Sequence, residues 1–169
     1  TDSIGQPLKF NQIRIHETAC WQLFRNFYAG IGFQFDSRSN IRDERAQQGD
    51  SSTSFHYQYS KQNGFDPTRY ITSGISLNLL FDSRDNQINA YRGIYANVNY
   101  LSNTTILGSS RNSTLLLAEY RSYHSLSDRN PSHVIAFWMY GWFGMDGTLP
   151  YLALPSIGND QRQKTGRGY

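Results

Sequence analysis

The chain has 169 residues, 38% of them hydrophobic, and a mean hydropathy of −0.61; no run approaches the eighteen apolar residues of a transmembrane helix, and no stretch has the basic-then-apolar form of a signal peptide. Sixteen Lys and Arg are dispersed among 13 acids, leaving a net charge of only +3, which argues against the gathered basic patch of a nucleic-acid binder. The lone cysteine, Cys20, excludes an intrachain disulfide and a thiolate metal cluster.

A low average does not exclude a β-barrel, which spends half of each strand on a watery lumen. Aromatics make up 15% of the chain, with 12 Tyr, 10 Phe and 3 Trp. Such residues form girdles where barrel strands meet lipid headgroups, although an aromatic-rich soluble sandwich would share the composition.

In chain order, residues 10–23 set Gln12, Arg14, His16 and Thr18 against Ile13, Ile15, Ala19 and Trp21, broken only by Glu17. Residues 27–38 repeat the scheme, with Phe27, Ala29, Ile31, Phe33 and Phe35 opposed to Tyr28, Gly30, Gly32, Gln34, Asp36 and Arg38. Only Phe24, Arg25 and Asn26 separate the two runs, which predicts a tight hairpin. Residues 41–68 then turn polar, and in a barrel they read as a long extracellular loop.

The cleanest alternation follows at 71–84: Ile75, Leu77, Leu79 and Phe81 against Gly74, Ser76, Asn78, Asp82 and Arg84. One wall is apolar and the other wet over about ten residues, the length of a tilted strand crossing a bilayer. A turn at 86–93 leads to a strand at 94–101, a polar loop at 103–112, a strand at 113–125 and a turn around Asp128 to Pro131. Residues 132–145 are nearly all apolar or aromatic, so the alternation does not say which face is outward. Connections thus alternate short and long, as in barrels with short periplasmic turns and long external loops. Six strands cannot close a transmembrane barrel, so the chain is expected to be part of a larger one.

The segment from Ser73-Gly74 through Phe81-Asp82-Ser83-Arg84-Asp85-Asn86 to Tyr91-Arg92-Gly93 and Tyr100 resembles the barrel of the BamA/TamA outer-membrane assembly and translocation superfamily, the bacterial surface antigens. The end of the chain, Leu149-Pro150-Tyr151 to Gly158 and then Arg167-Gly168-Tyr169, resembles that family's lid loop. The resemblance implies an all-β fold, a transmembrane antiparallel β-barrel of which residues 1–169 supply about six of sixteen strands, with residues 147–169 as the lid. In the lid motif Arg167, Gly168 and Tyr169, the arginine would meet acidic residues on the inner wall, gripped by paired hydrogen bonds. The family's usual acidic partners lie on strands after Tyr169; Asp82 is a candidate substitute.

Other constellations read more simply. Asp82 and Arg84 are expected as lumen-facing charges, and Asp85 with Asn86 as the opening of a turn. The four histidines lack metal-ligand spacing, no G-x-S-x-G elbow appears, and Gly30 and Gly32 lack a dinucleotide loop's third glycine and helix. These glycines are expected to relieve crowding in a curved strand. Trp138, Tyr140 and Trp142 are read as an interfacial girdle rather than a stacking site for a sugar or base.

The resemblance implies a non-enzymatic protein without metal or cofactor, integral to the outer membrane of a Gram-negative-type bacterium. It would insert other outer-membrane proteins or move polypeptide across the membrane. Its partners would be outer-membrane lipids, unfolded outer-membrane protein clients and accessory lipoproteins, and no nucleic acid. A barrel fused to an upstream patatin-like or metallophosphoesterase hydrolase, and a passive porin-like channel, are the alternatives.

Overall fold

Period-two alternation exposes one row of side chains on each face of a strand, so neighbouring runs with the same period join into a two-faced sheet. In the computed structural model, which describes residues 8–43, 54–127, 129–130 and 133–155, six such runs form one antiparallel sheet. Its strands are β1 (Leu8–Phe24), β2 (Phe27–Asp43), β3 (Tyr70–Asp82), β4 (Gly93–Asn103), β5 (Ser113–Ser125) and β6 (Val134–Gly147). They lie in chain order, each bonded to the next, and β1 and β6 are the two edges. Among the described residues no helix is long and apolar enough to cross a membrane.

The register aligns the apolar residues into continuous rows. Ala19, Ile31, Leu77, Tyr100, Leu116 and Phe143 stand opposite one another across all six strands. This face is bare: Ile75 is 48% exposed and Leu77 55%, while Ser76 between them is fully buried. A soluble sheet buries its apolar face and wets its polar one; here the apolar face is the exposed one and the polar face the covered one.

Two local devices shape the β1–β2 hairpin. Asn26, at φ 64°, takes the left-handed conformation that a two-residue hairpin turn demands, and asparagine tolerates it better than most residues. Nearer the open end, Lys9 pairs with Arg42 and Asn11 with Ser39, so β2 carries an extra residue where Asn40 also sits at positive φ, 58°. That is a β-bulge, which bends its strand and sharpens the twist.

Three features differ from the reading of the sequence alone. β2 continues to Asp43 rather than ending near Arg38, because its polar end still pairs with Leu8, Lys9 and Asn11 of β1. Within the stretch expected as loop, α1 (Phe55–Gln62) forms, with the Ser54 hydroxyl accepting from the Tyr57 amide. Lastly, Trp138, Tyr140 and Trp142 are not an outward girdle. They pair with Arg121, Glu119 and Leu117, which fixes them on the polar face and leaves Ile135, Phe137, Met139 and Phe143 on the apolar one.

The buried apolar side chains, Ile41, Phe65, Tyr70, Leu115 and Leu149, do not form a core behind the sheet. They gather at the end carrying the long connections, where residues 149–155 fold back over the polar face and meet α1. Packing therefore concentrates where the chain covers the wet wall.

Candidate functional site

Residues two apart on a strand share a face, so Gln12, Arg14 and His16 of β1 stand with Asp36 and Arg38 of β2 on the polar face. Their register brings Arg14 directly opposite Asp36. The Asp36 carboxylate accepts from Arg14 Nε at 2.5 Å and from Gln12 Nε2 at 3.2 Å, and its other oxygen lies 2.6 Å from His16 Nε2. Three side chains on one strand thus converge on one acid of the next.

Arg38 is the more buried charge, only 6% exposed. A guanidinium in such a place needs acceptors for its fixed fork of donors. It donates through Nη1 to the Tyr70 hydroxyl and, at 2.8 Å, to the backbone carbonyl of Leu152. Its carbon also lies 5.6 Å from the ring centres of Phe10 and Tyr70, within cation–π range of both. Nε has no hydrogen-bond partner among the described residues.

The Leu152 contact ties down the strap that follows β6. A short 3-10 turn at Tyr151–Ala153 lets this strap reverse over the sheet. The Tyr59 hydroxyl of α1 donates to the Leu149 carbonyl at 3.0 Å, and the Tyr151 ring packs 5.7 Å from both His56 and Tyr59. The strap is therefore held from below by Arg38 and from the side by α1. Between strap and wall lies a cavity of about 180 Å³, with Asn97, Asn99, Leu117, Tyr140, Trp142 and Leu152 among its lining.

Asp82 and Arg84 lie far from this junction, at the opposite end of β3 from Tyr70. They bind each other in two parallel contacts: Arg84 Nε donates to Asp82 Oδ1 at 2.9 Å and Nη2 to Oδ2 at 2.7 Å. The Arg84 guanidinium also sits 4.7 Å from the Tyr95 ring centre. Asp82 is thus already engaged, at the short-turn end of the sheet. A third charged pair joins Arg121 to Glu119, whose Oε1 also accepts from Trp138 Nε1 at 3.1 Å. Arg167, Gly168 and Tyr169 lie outside the described residues.

Among the described residues no three His, Cys, Asp or Glu side chains converge as metal ligands. His16 serves Asp36, and His56 Nε2 lies 2.8 Å from the Pro67 carbonyl. What this arrangement does chemically is hold a returning segment against a polar wall. Alternation marked Asp36 and Arg38 as polar-face residues. Nothing in the sequence pointed to Tyr70, α1 or the Leu152 carbonyl, because each contact joins segments far apart in the chain.

No curated protein and no solved structure matches this chain. The model of the Omp85 superfamily domain matches residues 20–153, most of its length and all six strands in whole or part. A meander of long antiparallel strands, a bare apolar face and a strap returning over the polar face accord with that match. The chain belongs to the Omp85 superfamily, a family of outer-membrane proteins concerned with protein insertion and translocation.

Proposed function

We propose that this chain is part of the wall, and the root of the lid, of a sixteen-stranded barrel integral to the outer membrane of a Gram-negative-type bacterium. The barrel is similar to BamA: it inserts outer-membrane proteins or moves polypeptide across the membrane, and it is not an enzyme. The observation carrying this reading is the strap at 149–155, bound to the polar face through the Arg38 contact with the Leu152 carbonyl. That contact fixes a returning segment across the polar face, as the root of a lid requires.

In this reading the polar face lines the lumen, with Asp82 and Arg84 at its short-turn, periplasmic end. Residues 147–169 form the lid, which carries Arg167, Gly168 and Tyr169 to an acidic partner on the inner wall, while the connection between β2 and β3, which includes α1, is external. Unfolded outer-membrane proteins are the clients; their strands pair with an edge that opens at a seam elsewhere in the barrel, an instance of strand addition. Outer-membrane lipids surround the apolar face, and accessory lipoproteins are further partners.

The test replaces Arg167 with Ala in the full-length protein and follows client proteins in the outer membrane. Lower levels of folded clients, with the barrel itself still present, are expected. Unchanged client levels and unchanged barrel stability contradict the assembly role of the lid.

A further inference from the structure

Along β1 the outward residues are Ile13, Ile15, Glu17, Ala19, Trp21 and Leu23, so a single carboxylate interrupts an apolar strip. Glu17 stands directly across from Phe33, and its neighbours on the strip are bare: Ile15 is 49% exposed and Trp21 59%. At about 3.3 Å per residue and a tilt of about 40°, the strip from Ile13 to Leu23 spans about 25 Å of height, which matches the lipid-facing band of a barrel. On that scale Glu17 lies about 10 Å inside the band, too deep for its short side chain to reach a headgroup. Among the described residues its carboxylate meets no cation: Arg14 points to the other face, where it holds Asp36.

β1 has a second unmet requirement. It is an edge of the sheet, and the backbone groups on its far side have no partner strand among the described residues. In lipid those groups must be hydrogen-bonded. A second membrane protein lying against the apolar face would neutralise Glu17 and leave the edge open, and a lipid amine would do neither at this depth. An antiparallel strand along β1 meets both needs, since a residue directly opposite Glu17 on the same face has its Cβ about 5 Å away.

Resting on the sixteen-stranded reading above, we propose that the barrel strand flanking β1 presents an Arg or Lys outward at or beside the register of Glu17, forming an interstrand ion pair inside the lipid-facing band. The pair fixes the register of that junction, because a slip of one residue turns the cation to the lumen and leaves both charges unpartnered.

The experiment uses the full-length protein in outer membranes. A benzophenone amino acid at position 17 is photo-activated, and Glu17→Lys and Glu17→Gln are followed by heat-modifiable migration. The expected result is a crosslink within the same chain, to a strand bearing Arg or Lys. Glu17→Lys should lose most of the folded band at temperatures where wild type keeps it, and reversing the crosslinked cation to Glu should restore it. A crosslink to lipid or to another protein, an unaffected Glu17→Lys, or failure of the reversal to rescue overturns the pair. If wild type itself shows no heat-modifiable band, the barrel reading fails instead.

Discussion

Arg38 joins the wall to the strap, and its value lies in what would be stranded without it. Replacing it with Ala leaves the buried Tyr70 hydroxyl and the half-buried Leu152 carbonyl without their donor, a loss of about 1–3 kcal/mol. Arg38→Ala is therefore expected to release the strap and admit protease near residues 149–155, while the six strands stay paired; Arg38→Lys should rescue only in part, since an ammonium lacks the planar fork. Unchanged protease resistance would mean that α1 alone holds the strap. At Gly32 the constraint is space. A Cβ there would lie 2.5 Å from Ser76 Oγ, 2.6 Å from Thr18 Oγ1 and 2.8 Å from the Glu17 carbonyl oxygen. The backbone oxygen cannot swing aside as a hydroxyl can, so Gly32→Val is expected to destabilise the β1–β2–β3 junction by about 1–3 kcal/mol, read as a lower heat-modifiable transition.

The turn between β3 and β4 is built on one acid. The Asp85 carboxylate accepts from the amides of Asn86 at 2.9 Å, Tyr91 at 3.0 Å and Arg92 at 3.2 Å, and Asn86 then receives the amides of Ile88 and Asn89. Burial works to raise the Asp85 carboxyl, and the amides of Arg92, Tyr91 and Asn86 outweigh it, holding it below the usual carboxylate range. A carboxyl lowered on folding stabilises above its unfolded pKa of about 3.9 and loses that contribution as the pH falls through the folded value. Acidification from about pH 5 towards 3 should thus loosen this turn, measured as amide exchange at Tyr91 and Arg92; protection that does not change over that range would contradict the assignment. The same scale shows what the sequence made legible. β3 was readable because Ile75, Leu77, Leu79 and Phe81 alternate with small or polar residues, so one face could only be outward. β6 was not, since Trp138, Tyr140 and Trp142 are as apolar as the residues between them, and only pairing with β5 assigns the faces. α1 was hidden in a polar stretch because its Tyr and His side chains pack on the strap, a contact local propensity does not encode. Asp82 and Arg84 were placed on the wet side by parity, but their mutual grip needed side-chain geometry to be seen.

Across the whole molecule, one asymmetry organises the rest: apolar side chains stand bare while serines and charged pairs are covered. In water such a sheet would present a continuous apolar surface and aggregate. In a bilayer the same surface is solvated by lipid, and the polar face can enclose water, the strap and the ion pairs Arg14–Asp36, Arg84–Asp82 and Arg121–Glu119. Membership of the Omp85 superfamily and this inversion point the same way. The most direct test places a fluorophore on single cysteines at positions 74 to 81 of the full-length protein in vesicles, with Cys20 changed to Ser, and measures quenching by brominated lipid. A two-residue period is expected, with positions 75, 77, 79 and 81 strongly quenched and 74, 76, 78 and 80 nearly unaffected. Uniform quenching, none at all, or the opposite phase would contradict it.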